Sequence, residues 1–324
     1  MSRILAYRFS AFGDVAMTVP VFTEFLQQNP EVEIVMVSRT QFKDLFEGIP
    51  NLIFKGIDVD DYQGIFGLRK LGKFLLKEVN PDYIADLHDV IRTKALDLFF
   101  IKNGFKVFKI NKGKQEKELL TDIWNLDKKK LMPNTERYAD VFRAMNFKLT
   151  LSHQYPQKPL VTKKGIGIAP FAQHKGKMLP LEKTFEVVKI LSATHKISFF
   201  GGGKNEVTIL NEWEQQLPNT ENLAGTLSLK EELQKISELE VMISMDSANM
   251  HLASLVGTRC ISVWGSTHPY AGFLGYGQSE NDVVQVKDLT CRPCSVFGDK
   301  ECYRGDWACL EEIDAQKIID LVNH

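Results

Sequence analysis

The chain has 324 residues, of which 44% are hydrophobic and 25% charged, and its formal net charge is −1. This composition is typical of a globular protein with two domains. A charge near zero predicts no nucleic-acid partner, and no apolar run approaches the roughly 18 residues of a membrane span. The N-terminus lacks the basic, apolar and small-residue order of a signal peptide, so we expect a cytoplasmic protein.

The opening segment, RILAYRFSAFGDVAMTVPVF (3–22), predicts a buried strand, a turn of small residues and the start of a helix. Asp14 lies where the strand gives way to the helix. A carboxylate there can cap the first helical N–H groups. It can also act as an acid or base at the carboxyl end of a parallel strand, where open α/β sheets bind ligands. The segment alone leaves both roles open.

Strand and helix patterns alternate along the rest of the chain. In the first half, strands are predicted at 33–38, 83–88 and 106–111, with helices after the first two and at 136–145. In the second half, strands are predicted at 165–170, 196–202, 240–245 and 260–265, with helices at 181–194, 205–217, 229–239 and 248–257. This alternation predicts an α/β protein with two doubly wound parallel sheets.

The domain boundary is predicted in a stretch with few helix formers, 148–164, which contains Pro156 and Pro159. The predicted units are an N-terminal Rossmann-like domain at 1–155, a C-terminal one at 156–310 and a terminal helix at 311–324. Two such domains with a cleft between them occur in dehydrogenases, periplasmic-type binding proteins and GT-B glycosyltransferases. The fold alone does not choose among these classes.

Glycine patterns argue against two classes of nucleotide enzyme. A nicotinamide enzyme should carry G-x-G-x-x-G after its first strand, whereas the first turn here, SAFGD, has a single glycine. FFGGGKNE (199–206) contains Lys204 but lacks the spacing and the magnesium-binding hydroxyl of a P-loop. This loop is either a tight turn or a site where the N–H groups of Gly201 and Gly202 line a nucleotide pocket.

The block ISMDSANMHLASLVGTRCISVWGSTHP (243–269) brings polar residues to the ends of two strands. Asp246 and Ser247 can cap the short helix that follows the first strand, and the free N–H groups of such a helix end bind anions. His251 is an ordinary core or surface histidine, or a donor to a phosphate. The second strand ends in the hydroxyl-rich WGSTHP. The block therefore predicts a phosphate site.

A loop with His174, Lys175 and Lys177 follows a strand in IAPFAQHKGKMLP (168–180). Such a charged loop is commonly only solvated. Its position after the first strand of the second domain places it on the same sheet edge as Asp246, where a lysine could neutralise a leaving diphosphate.

The acidic DVD at 58–60 could be taken as a GT-A metal motif, but its loop position favours a solvated turn.

These motifs resemble, in identity and order, those of glycosyltransferase family 9, the bacterial ADP-heptose:lipopolysaccharide heptosyltransferases. The resemblance rests on FGDVAMTVPVF, DYIADLH, GKMLP, FFGGGKNE and MDSANMHLASLVGTRCISVWGST, with HPYAGFLGYG (268–277) similar to the loop after the last nucleotide-domain strand. It covers nearly the whole chain. It implies a GT-B fold of two Rossmann-like domains facing a central cleft, with the acceptor bound by the N-terminal half and the ADP-sugar by the C-terminal half.

The resemblance also implies inverting transfer of heptose from ADP-heptose to a lipid A-linked inner-core acceptor, with no catalytic metal or cofactor. Asp14 matches the general base, and Lys177 matches the lysine that contacts the donor phosphates. We expect the donor site to contain Lys175, Gly201, Gly202, Asp246, Ser247, Ala248 and His251, and the acceptor site Gly13, Asp86 and His88.

Ala248 stands where the family often has glycine. Two alternatives therefore stay open at this point. One is a family member with another nucleotide-sugar donor or acceptor, and the other is a nucleotide-sugar-binding protein that has lost transfer.

Four cysteines, Cys291, Cys294, Cys302 and Cys309, have the spacing C-x2-C-x7-C-x6-C. Their number suits structural zinc, although the second pair lacks C-x-x-C. Reduced packing thiols, or disulfides formed on isolation, are the alternatives. Because the implied acceptor is lipid-linked, we also expect peripheral contact with the inner face of the cytoplasmic membrane. The basic stretch 92–114 is a candidate surface for that contact.

Overall fold

The computed structural model describes residues 1–155 and 163–323. The strands are β1 (Ser2–Tyr7), β2 (Val32–Arg39), β3 (Leu52–Ile57), β4 (Tyr83–Asp86), β5 (Val107–Lys109), β6 (Ile166–Ala169), β7 (Ile197–Phe199), β8 (Thr220–Asn222), β9 (Val241–Met245), β10 (Arg259–Val263) and β11 (Val283–Val284). The α-helices are α1 (Phe12–Ala16), α2 (Thr18–Gln28), α3 (Gly64–Val79), α4 (Ile91–Lys102), α5 (Lys114–Thr121), α6 (Asn134–Arg143), α7 (Leu181–Ser192), α8 (Lys204–Gln216), α9 (Leu229–Ser237), α10 (Ala248–Leu255), α11 (Ala308–Glu311) and α12 (Ala315–Val322). Short 3₁₀ helices cover Thr40–Phe46, Val59–Tyr62, Lys175–Lys177, Pro269–Ala271 and Glu280–Asp282.

The described residues form two compact units. The first contains Met1–Lys112 and Asn134–Ser152, and the second contains Gly113–Pro133 and the described residues from His153 onward. The sequence analysis had placed 113–133 in the first domain. The structure groups this segment with the second unit because Leu131 donates its N–H to the carbonyl of Tyr270 at 2.9 Å and Lys117 Nζ lies 4.5 Å from the centre of the Phe273 ring.

Pro156 and Pro159, the prolines of the predicted linker, lie outside the described residues. None of the helices in the described ranges is both long and apolar enough to cross a membrane.

The first unit contains a five-stranded sheet in the order β3-β2-β1-β4-β5, with every pair parallel. Its central strand β1 is apolar at successive positions because helices cover both faces of such a sheet. In the register, Tyr7 pairs with Val37 on one side and with Asp86 on the other. The strand order reverses between β1 and β4, so the residues after these strands occupy the place where open α/β sheets bind ligands.

The second unit contains a six-stranded parallel sheet in the order β11-β10-β9-β6-β7-β8. Here the order reverses between β6 and β9, where Ala169 pairs with Ser244. The loops after β6 and β9 therefore emerge side by side. The predicted α/β class with two doubly wound parallel sheets is confirmed.

The predicted terminal helix is present as α12, and the C-terminal segment packs on the second unit. It consists of the short α11 followed by α12, and Leu310, Ile313 and Ile318 are buried in the core of that unit. Asp314 separates the two helices and caps α12 by accepting the N–H of Gln316 at 2.9 Å.

Candidate active site

An ion pair joins the first two strand-end loops of the second sheet. Lys177 Nζ, in the loop after β6, lies 3.0 Å from Asp246 Oδ2, which follows β9. The side chains are only 17% and 5% exposed. Two of the residues predicted for the donor site are thus in direct contact, and Asp246 fixes the position of the lysine.

The loop that carries Lys177 lies against the loop after β10, and the two backbones approach closely. Ser266 donates its N–H and its hydroxyl to the carbonyl of Gly176, at 2.8 and 2.9 Å. A Cβ atom on Gly176 would lie 2.3 Å from Ser266 Oγ and 2.9 Å from the carbonyl oxygen of Gly298. Only glycine fits here, so Gly176 and Ser266 position Lys177. The sequence analysis missed both residues, although the glycine between two lysines was a visible signal.

Ser247 begins α10 but does not cap it through its side chain. Its hydroxyl makes no capping hydrogen bond and instead lies 3.2 Å from Ser244 Oγ. Ser247 is thus at the predicted N-cap position, but its hydroxyl contacts Ser244 instead of the helix N–H groups. Ala248 is the first residue of this eight-residue helix, and His251 is buried on its next turn. The N-terminal N–H groups of α10, which favour anions, receive no bond from Ser247.

In the glycine loop after β7, N–H groups already donate to a carboxylate of the protein itself. The Glu206 carboxylate accepts from Gly202 at 2.9 Å and from Gly203 at 3.2 Å, as in a capping box of α8. The carbonyl of Gly201 accepts from Gly225 at 3.1 Å. In this structure the loop is thus a tight turn closed by Glu206, which is the first of the two alternatives, and the assignment of Gly201 and Gly202 to the donor site stays a prediction.

Lys175 is directed differently from Lys177. Its Nζ lies 5.0 Å from the centre of the Trp307 ring, at cation–π distance. Lys175 therefore neighbours the predicted donor loop without joining the Lys177–Asp246 ion pair.

In the first unit, Asp14 is held by a buried arginine. It lies in the first turn of α1, directly after Gly13, and its Oδ2 is 2.8 Å from an Nη atom of Arg8. The same oxygen accepts the N–H of Ala11 at 3.4 Å. Burial lowers the pKa of Arg8, but Tyr138 and Asp14 raise it more, so that it stays above its ordinary value. Asp14 thus has part of the capping role, while its side chain keeps 24% of its surface exposed.

His88 lies in the loop after β4, close to the loop after β1. Its Nε2 is 3.3 Å from Ser10 Oγ, and its Nδ1 is 3.5 Å from the Phe9 nitrogen. Burial lowers the pKa of His88 to about 3, with Arg8 adding to the effect. His88 is therefore a neutral side chain at physiological pH, able to hydrogen-bond a hydroxyl group but not to act as a cation.

Asp86, predicted to contact the acceptor, is the last residue of β4 and bonds the protein backbone. Its side chain is fully buried, and its Oδ1 accepts the N–H groups of His88 at 2.8 Å and of Asp89 at 2.9 Å. Burial, followed by the Asp97 carboxylate, raises the pKa of Asp86 to about 6. Asp86 therefore holds the backbone of the loop that carries His88, and its place in the acceptor site stays a prediction.

A second buried carboxylate, that of Asp97, supports the same edge of the first sheet, and its role was not predicted from the sequence. Asp97 of α4 accepts the hydroxyl of Tyr7 and pairs with Lys109 Nζ at 2.7 Å. These contacts tie β1, α4 and β5 together. Burial raises the pKa of Tyr7 well above its ordinary value, and Asp97 adds to the effect. The only sequence signal was an acid within an apolar helix.

The four clustered cysteines line one cavity around the buried Arg292. The Arg292 guanidinium donates to the carbonyls of Thr267 at 2.7 Å and Val286 at 2.8 Å, and burial lowers its pKa to about 10. All cysteines are free thiols, and burial raises the pKa of Cys309 to about 12.

Across residues 1–155 and 163–323, no group of three or more His, Cys, Asp or Glu side chains is arranged to hold a metal ion. The structure therefore gives the zinc prediction no support.

The sequence profile of glycosyltransferase family 9 (heptosyltransferase) matches residues 69–303. The chain belongs to glycosyltransferase family 9. It is therefore a glycosyltransferase, as its motifs predicted. It is 25% identical to lipooligosaccharide heptosyltransferase 2 of Campylobacter jejuni over 325 residues, covering 95% of this chain and 93% of that protein.

Solved structures show the same fold. The family 9 chain matches the E. coli ADP-heptose lps heptosyltransferase II with a TM-score of 0.71 and 19% identity, over 100% of this chain and 98% of that one. It matches E. coli heptosyltransferase WaaC with ADP with a TM-score of 0.68 and 17% identity, over 99% of both chains. These similarities establish the predicted GT-B fold.

Proposed function

We propose that this family 9 glycosyltransferase transfers heptose from ADP-heptose to a lipopolysaccharide inner-core acceptor, with inversion and without a metal. The names of its relatives support the substrate class. The observation that carries the proposal is the Lys177–Asp246 ion pair at the strand crossover of the second sheet. A lysine fixed at that crossover supports a nucleotide site, because open α/β sheets bind their ligands there.

The donor half of the reaction needs stabilisation of the departing ADP. As the bond between the anomeric carbon and the diphosphate oxygen breaks, negative charge grows on that oxygen. Lys177 supplies a positive charge, and the N-terminus of α10 supplies N–H groups and the positive end of its dipole. In this proposal Ser247, Ala248 and His251 line the donor site, and Asp246 keeps Lys177 aligned.

The acceptor half needs a base for the attacking hydroxyl group. Asp14 suits this role because Arg8 holds one of its oxygens, which leaves the other for the hydroxyl proton. The hydroxyl oxygen then attacks the anomeric carbon from the face opposite the diphosphate, which inverts the configuration. Gly13 and the neutral His88 are proposed to contact the acceptor beside Asp14. A lipid-linked acceptor places the enzyme at the inner face of the cytoplasmic membrane.

Calorimetry with ADP, UDP, GDP and NAD tests the donor site, using the wild type and the Asp246→Ala variant. The proposal predicts that ADP binds most tightly and that the variant weakens this binding at least about tenfold, because Lys177 loses its anchor. Lys189→Ala, an exposed lysine on α7, is the control and should bind ADP normally. Preference for UDP or GDP would contradict the ADP-heptose donor, and binding of NAD alone would contradict sugar transfer.

A further inference from the structure

Two neighbouring helices, α3 and α4, cover one face of the first sheet. They approach closely, since a Cβ atom on Gly72 of α3 would lie 2.3 Å from the ring of Phe99 on α4. Leu71 and Leu75 of α3 share a core cluster with Leu96 of α4 and the strands beneath. This packing uses the inner side of both helices and leaves their outer side to solvent.

The outer side combines large apolar and basic side chains. We call it the α3–α4 surface, and its members are Ile65, Phe66, Arg69, Lys70, Lys73, Lys77, Ile91, Lys94, Leu98, Ile101 and Lys102, all exposed. Phe66 is 85% exposed and Ile91 is 90% exposed. On α4 the exposed members recur at helical spacing, so they form a single stripe.

The charge of the α3–α4 surface is strongly one-sided, although the whole chain is nearly neutral. In the two helices, which are described in full, Glu78 is the only exposed acidic side chain, and it pairs with Lys55 at 3.7 Å. The other acid, Asp97, is buried. Asp60 and Asp61 precede α3 in the 3₁₀ helix Val59–Tyr62 and bound the surface at that end.

This combination fits an anionic lipid surface better than a nucleic acid. Basic side chains are attracted to acidic headgroups, and their aliphatic stems let them reach the headgroups from an apolar layer. Transfer of exposed Ile, Leu and Phe side chains from water to the boundary of the acyl chains is favourable in free energy. A nucleic acid would use the charges and leave the apolar side chains in water.

We propose that the α3–α4 surface docks on an anionic lipid bilayer. This inference rests on the proposed function, because an enzyme with a lipid-linked acceptor must reach that acceptor at a membrane. The inference adds which surface of the protein contacts the membrane. It also narrows the stretch 92–114 predicted from the sequence. The β5 part of that stretch lies in the sheet, where Lys109 pairs with the buried Asp97, so α4 is the part available to lipid.

Vesicle co-sedimentation of the full chain tests the proposal, with vesicles of phosphatidylglycerol mixed with phosphatidylcholine compared with phosphatidylcholine alone. The charge variant carries Arg69→Gln, Lys70→Gln, Lys73→Gln and Lys77→Gln. The apolar variant carries Ile65→Ser, Phe66→Ser and Leu98→Ser. Each basic residue near an anionic surface contributes about fivefold to binding, so the charge variant should bind at least about tenfold more weakly. Loss of membrane insertion should weaken the apolar variant by a similar factor.

A matched control removes the same charge from the second unit through Lys189→Gln, Lys196→Gln, Lys235→Gln and Lys287→Gln, all exposed residues. The control should bind vesicles like the wild type, and circular dichroism should show all variants folded. Absence of binding to phosphatidylglycerol vesicles, equal binding to both vesicle types, or an unchanged apolar variant would each overturn the proposal. If heparin bound the wild type and the apolar variant equally while vesicles did not bind, the surface would be a soluble polyanion site.

The vesicle assay contains no nucleotide sugar. A protein that does not bind vesicles could therefore still bind ADP in the calorimetric test. Likewise, a protein that does not bind ADP could still bind vesicles, so the two proposals can fail separately.

Discussion

The Nζ atom of Lys177 lies 3.0 Å from the carboxylate of Asp246, and this contact joins the loops after two neighbouring strands, β6 and β9. Asp246 holds the lysine at the strand crossover, where charge on a leaving diphosphate would develop. Under the proposed function the ion pair serves a donor site rather than the sheet itself, and this distinction can be tested.

Replacing Lys177 should damage catalysis more than folding. Lys177→Ala should lower kcat by about 10²–10³, the usual effect of removing one group that stabilises charge in the transition state. Lys177→Arg should recover part of the rate because it keeps the charge. The measurement is steady-state ADP release, with unfolding by urea as a parallel check on stability. A rate that falls only in proportion to the unfolded fraction would contradict the role.

Gly176→Ala should destabilise the second unit by about 1–3 kcal/mol, because the new methyl group has no room between Ser266 and Gly298. It should also weaken ADP binding by displacing Lys177. Gly202→Ala is the matched control, since a Cβ there meets nothing within 4 Å. Urea unfolding of both variants gives the comparison, and equal losses would show that close approach at Gly176 is unimportant.

Glu206→Ala separates the two interpretations of the glycine loop. Because Glu206 closes this turn by accepting two N–H groups, its loss should cost about 1 kcal/mol of the free energy of unfolding. ADP affinity should stay unchanged. If the N–H groups of Gly202 and Gly203 instead bound the nucleotide, removing the competing carboxylate would tighten ADP binding, and calorimetry would detect it.

His88 and Asp86 should change the pH dependence of stability with opposite signs. The pKa of His88 is lowered to about 3 in the folded state, so the unfolded state binds more protons between there and about 6.5. Protonation of His88 therefore favours unfolding as the pH falls through that window. The pKa of Asp86 is raised to about 6, so its contribution favours folding as the pH falls toward about 4.

Urea unfolding at pH 5 and pH 8 measures both effects. His88→Gln should lose less stability than the wild type on going from pH 8 to pH 5, by about 1–2 kcal/mol. Asp86→Asn should lose more than the wild type over the same interval. Identical pH profiles for the wild type and both variants would contradict the assigned burial of these groups.

Much of the fold followed from the sequence because the pattern of buried parallel strands is local. The alternation of apolar runs with amphipathic helices gave both sheets, and the positions of Lys177 and Asp246 after their strands brought them to one edge. Their direct contact was not predictable, since it depends on the Gly176–Ser266 approach between distant segments.

Two details of the site were not predictable because neighbouring polar groups compete for hydrogen bonds. Ser247 bonds Ser244 instead of its helix, and Glu206 takes the N–H groups offered by the glycine loop. Asp86 and His88 are two residues apart, yet one is fully buried beneath the loop and the other lies beside Ser10. The composition of such a segment does not reveal which of its side chains points into the core.

Inverting heptosyl transfer with Asp14 as the base can be tested in a single assay. The wild type and Asp14→Asn are incubated with ADP-heptose and a lipid A-linked inner-core acceptor, and the product linkage is determined by NMR. The product should have the inverted anomeric configuration. For Asp14→Asn we predict a rate lower by about 10²–10⁴, with unchanged ADP affinity. A retained configuration, or wild-type rates for Asp14→Asn, would contradict inverting transfer with Asp14 as the base.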